Sequence, residues 1–122
     1  MSANKKLVET YLTYRARAAD RSKVGPLLTD DVEWIEWADG VPPSGARTQG
    51  KSAVLQNLGD NDLRIQITRM TEEGNVVVAE GTVRVTRKEG GDLTLQVCNI
   101  YEIENGKMKR MQSYLATTTD SA

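Results

Sequence analysis

Four segments in the second half of the chain alternate apolar with polar residues, and turn signals separate them. Leu63, Ile65 and Ile67 alternate with Arg64, Gln66 and Thr68. Ala79, Gly81, Val83 and Val85 alternate with Glu80, Thr82, Arg84 and Thr86, and Leu93, Leu95 and Val97 with Thr94, Gln96 and Cys98. Met108 to Leu115 repeats the pattern more weakly. Period-two alternation belongs to strands with one face buried. The breaks are Glu73-Gly74-Asn75, Gly90-Gly91 and Asn105-Gly106, the last a strong type I′ hairpin signal. Tight turns join antiparallel neighbours, so the spacing predicts a four-stranded meander with an apolar face that must be covered.

The first half supplies the cover. Leu7, Tyr11, Tyr14 and Ala18 recur at helical spacing, with Ser2 or Asn4 available as a cap. A second, short helix from Asp20 or Ser22 would bury Val24, Leu27 and Leu28, with Pro26 in its first turn. Val32 to Trp37 reads as a strand, Asp39 to Gln49 as a loop, and Lys51 to Leu58 as a third helix stopped by Gly59. Gly81, in mid-strand on the apolar face, marks a bend or a close approach to the backbone. A bent sheet folded around helices makes a cone, and a cone can hold a pocket. The 122 residues suit one domain, expected over 1–116, with a loose tail over 117–122.

Composition removes several kinds of chemistry. There is no histidine and one cysteine, Cys98, so histidine-dependent triads, internal disulfides and Cys/His zinc sites are excluded. Asp60-Asn61-Asp62 lacks calcium-loop spacing, and no metal or cofactor is expected. A net charge of −1 suggests no nucleic-acid partner. No apolar run reaches membrane-spanning length, and a cytoplasmic location is expected.

Two positions break the apolar faces. In the strand Val32 to Trp37, Glu36 shares a face with Val32 and Trp34. It is either a strand end reaching solvent or an acid whose burial raises its pKa, which would suit a general base. Asn99 interrupts the stripe of Leu93, Leu95, Val97, Tyr101 and Ile103, where it is either satisfied locally or directed into a cavity. Tyr11, on the apolar side of the first helix, offers a hydroxyl if it reaches that cavity.

Several stretches together resemble the nuclear transport factor-like superfamily, in particular its SnoaL-like and ketosteroid isomerase-like members. They are Leu7-Val8-Glu9-Thr10-Tyr11, Leu27 through Trp34, Ser44-Gly45 with Gln49 through Val54, and Val97 through Leu115. The resemblance implies an α+β fold, a curved antiparallel sheet forming a cone around three helices (a cystatin-like roll). It also implies an apolar pocket at the open end and a homodimer through the outer sheet face. The isomerase-type base position falls on Glu36 and the two oxyanion donors on Tyr11 and Asn99. Ketosteroid isomerase carries a protonated aspartic acid where this chain has Asn99. The charged groups of limonene epoxide hydrolase would fall on Gly81, Val83 and Ser113, which cannot replace them.

The expected function is binding of an apolar, oxygen-bearing small molecule, with cofactor-free isomerase or cyclase chemistry by proton transfer next to a carbonyl. The expected lining beside Tyr11, Glu36 and Asn99 is Trp34, Gly81, Val83, Leu95, Val97, Tyr101, Met111, Ser113 and Leu115. The alternative is a non-catalytic module that binds a ligand or dimerises through Val76, Val78, Cys98 and Ile100 on the outer face.

Overall fold

The computed structural model describes residues 1–86 and 90–118. The first helix, α1, spans Ala3–Ala16. Ser2 caps it by accepting the Lys5 backbone N–H at 3.1 Å. Its inward stripe buries Val8, Tyr11 and Leu12. The helix stops where Arg17 turns extended, and the Ala16 carbonyl accepts the Leu63 N–H at 2.8 Å. The expected second helix is instead two 3₁₀ segments, Ala18–Lys23 and Gly25–Leu27. Pro26 removes a backbone donor there, so tight turns replace a continuous α-helix. The last helix, α2, covers Lys51–Asn57 and buries Val54.

The strands are β1 Leu28–Trp37, β2 Ala46–Gln49, β3 Arg64–Glu73, β4 Val76–Thr86, β5 Asp92–Glu104 and β6 Lys107–Thr118. They form one open sheet in the order β2-β1-β6-β5-β4-β3. The last four make the expected antiparallel meander. Asn105 and Gly106 have φ of 51° and 77°, as a type I′ turn between β5 and β6 requires. The loop expected over 39–49 contains β2, which pairs antiparallel with β1. β1 itself pairs parallel with β6, the one parallel pair among the described residues. Of the tail expected to be loose, Thr117 and Thr118 extend β6, and 119–122 lie outside the described residues.

The sheet bends at β3. Its register with β4 shifts between Ile67 and Arg69, and a Cβ on Gly81 would sit 2.0 Å from the Gln66 carbonyl oxygen. Only a residue without a side chain lets the two backbones approach so closely. The concave face closes over Val8, Val24, Leu28, Val54, Val77 and Met108, all fully buried. On the convex face, Ile35 is buried beneath Gly45, whose loop is held by a Trp37 Nε1–H bond to the Pro43 carbonyl at 3.0 Å. Among the described residues, no helix is long and apolar enough to cross a membrane.

Candidate functional site

Strand register brings the two interrupting residues into one row. Glu36 on β1 pairs with Ser113 on β6, and Ser113 pairs with Asn99 on β5. Two strand spacings of about 4.8 Å therefore put the Glu36 and Asn99 backbones roughly 10 Å apart on the concave face. The next row holds Trp34, Met111 and Tyr101, all buried. The two rows make the floor of a cavity of about 160 Å³, and Tyr11, Leu12 and Arg15 of α1 lie over it. Val83, Val85, Leu95, Val97 and Leu115 form the remaining wall with Leu63 and Ile65.

All but one of the residues expected at the site line this cavity. The exception is Gly81. Its approach surface is occupied by the β3 backbone, so its absent side chain makes room for the sheet to curl and does not serve the cavity.

The polar groups are unequally satisfied. Trp34 Nε1–H donates to Ser113 Oγ at 3.2 Å. Tyr11 and Tyr101 meet edge to face with centroids 5.7 Å apart. Burial pushes the Tyr101 phenol far above its ordinary value and the nearby Tyr11 adds to this, while the positive charge of Arg15 and then the Asn99 side-chain hydrogen bond oppose it more weakly. Asn99 Oδ1 is buried with no hydrogen-bond partner. Glu36 is half-buried, and desolvation raises its pKa above 4.5, with the positive charge of Arg15 acting in the other direction. The apolar wall solvates its anion poorly, which shifts the balance toward the neutral form relative to a free carboxyl.

Arg15 did not emerge from the sequence reading. Its guanidinium carbon lies 4.9 Å over the Trp34 ring. It follows Tyr11 by four residues, so helical spacing puts it on the same face. Leu63, Ile65 and Val85 were already on the predicted apolar faces, but their place at the cavity depends on the curl of β3 and β4. Cys98 lies outside this cavity on the convex face, and burial first, then Glu80, raises its thiol pKa. Among the described residues no cluster of three or more His, Cys, Asp or Glu side chains gathers to hold a metal.

The family model described as a SnoaL-like domain matches residues 8–111. An NTF2-like protein of unknown function from Burkholderia pseudomallei is 26% identical, with a TM-score of 0.75 over 93% of this chain and 90% of that one. TerC, co-crystallised with polyporic acid, is 24% identical, with a TM-score of 0.73 over 92% of this chain and 90% of its own. An LEH-like epoxide hydrolase from Mycobacterium tuberculosis shares the fold at 20% identity, with a TM-score of 0.75 over 93% and 82% of the two chains. No curated protein matches in sequence.

Proposed function

This chain belongs to the SnoaL-like domain family, and from that premise we propose that it binds a small, largely apolar, oxygen-bearing molecule and moves a proton next to its carbonyl without a cofactor. The observation that carries this reading is Glu36, a carboxyl of raised pKa in the wall of an apolar cavity. Similarity to a protein co-crystallised with polyporic acid supports a small-molecule ligand.

In the proposed reaction the ionised Glu36 removes a proton from the carbon beside a carbonyl. The C–H electron pair becomes a C=C bond and the carbonyl π pair moves onto oxygen. Tyr11 and Asn99 flank that developing enolate oxygen. Glu36 then returns the proton to another carbon, which gives an isomer, or the enolate carbon attacks a second carbonyl, whose π pair moves onto its oxygen and takes the proton back from Glu36, which gives a ring. Removing one such oxyanion donor typically raises the barrier by about 2.7–4 kcal/mol. Water activation of the limonene epoxide hydrolase kind is not part of the proposal, because Gly81, Val83 and Ser113 stand where its charges would fall.

Cavity size narrows the substrate. An engineered apolar cavity of about 150 Å³ accommodates benzene, so about 160 Å³ suits a single ring, and a steroid would require the cone to open. The test is turnover of single-ring enones and β-keto compounds by wild type and Glu36→Gln. Loss of turnover in a folded Glu36→Gln variant is expected, and undiminished turnover removes Glu36 from the mechanism.

The small cavity also favours a second reading, in which the domain is a non-catalytic module that works through its convex face. There Val76, Val78, Cys98 and Ile100 are only half-buried, and Tyr114 is 41% exposed while stacked on Trp37. A homodimer through that face is compatible with both readings. Binding without turnover across the ring panel would favour the module.

A further inference from the structure

The cavity holds one more charged group than the proposed proton transfer uses. Arg15 reaches in from the last turn of α1, held by its contact with the Trp34 ring. Its Nη1 is buried with no hydrogen-bond partner. A cationic N–H removed from water without an acceptor is costly to the fold, and an anionic oxygen placed against it removes that cost. Glu36 lines the same cavity, but among the described residues no ion pair joins it to Arg15, whose Nη1 stays unmatched. Across the cavity, on β5, Asn99 Oδ1 is a buried acceptor in the same condition. One donor with positive charge and one acceptor are thus left unmatched on facing walls of a space about one ring in size.

We propose that Arg15 is the anion-holding residue of this cavity, and that the ligand is a single-ring carboxylate whose own hydroxyl is donated to Asn99 Oδ1. The assignment rests on the small-molecule reading above and deepens it. The guanidinium fork matches a carboxylate in two parallel N–H···O bonds, which a neutral amide cannot reproduce. Its seat over the Trp34 ring restricts the guanidinium before the ligand arrives, so little further freedom is lost on binding.

The experiment is calorimetric titration of wild type, Arg15→Gln and Arg15→Lys with 4-hydroxybenzoate and its neutral counterpart 4-hydroxybenzamide. Wild type is expected to bind the carboxylate at least tenfold more tightly than the amide. Arg15→Gln should abolish that preference, with the larger loss falling on the carboxylate, and Arg15→Lys should retain part of it. Equal affinity of wild type for the two compounds, or a preference that survives in Arg15→Gln, overturns the assignment and leaves the small-molecule reading standing. Binding of neither compound, nor of neutral single-ring enones, overturns both. Should Arg15→Gln fail to fold, the wild-type comparison and the Lys variant decide.

Discussion

At the scale of the residue, Glu36 couples stability to the proposed chemistry. Its folded-state pKa lies above its ordinary value, so between the unfolded and the folded pKa the native state holds a proton that the unfolded chain has released. Stability attributable to Glu36 therefore falls as pH rises through that window and stays low above it. Glu36→Gln removes the titration. Its Tm is predicted to exceed that of wild type at pH 7, with the gap closing as pH falls toward 4.5 and below, in thermal scans at a series of pH values. The same substitution is predicted to lower kcat by about 10²–10⁴-fold on any substrate the wild type turns over. A variant both less stable at neutral pH and fully active would deny Glu36 either role. Alternation along β1 and β5 was enough to single out Glu36 and Asn99, because each is a polar side chain on a face otherwise apolar. Arg15 escaped because an arginine near a helix C-terminus ordinarily reads as a solvated charge. Only the fold reveals that this one lies over a tryptophan.

Among the elements, the β3–β4 pair carries the curvature that makes a hollow. Gly81→Ala is predicted to destabilise the protein by at least about 2 kcal/mol, since the new methyl would meet backbone that has no rotamer to change. Urea unfolding with an unchanged m value is the check, and a cost below about 0.5 kcal/mol would show that β3 does not approach so closely. The sequence marked Gly81 as a place of close approach but left open what approaches. The neighbouring strand does, through the Gln66 and Ile67 backbone beside the register shift between Ile67 and Arg69. The meander was legible because its turns carry local signals, Asn105-Gly106 most clearly. Strand β2 was not, since Ala46-Arg47-Thr48-Gln49 has no buried face of its own and is defined by backbone pairing to β1. The parallel β1–β6 pair joins residues about 80 positions apart, and no local pattern encodes such a contact.

For the whole molecule, the two faces of the sheet differ in what they pack against. The convex face is predicted to form the homodimer. Sedimentation should give a dimer for wild type and a monomer for Tyr114→Arg, and a monomeric wild type would leave that face without its proposed partner. The concave face wraps the helices and fills the narrow part of the cone with apolar side chains, from Val8 on α1 to Met108 on β6. What remains unfilled at the wide end is a small apolar space with an acid in its wall. The proposed function depends on that acid being partly sheltered from water by the apolar wall of the cavity. The most direct measurement is the titration of the Glu36 side-chain carboxyl by carbon-13 NMR, with Glu36→Gln identifying the signal, and it needs no substrate. The fold predicts a midpoint clearly above 4.5. A midpoint at or below that value would mean that water solvates Glu36 freely and that the cavity does not shelter the base.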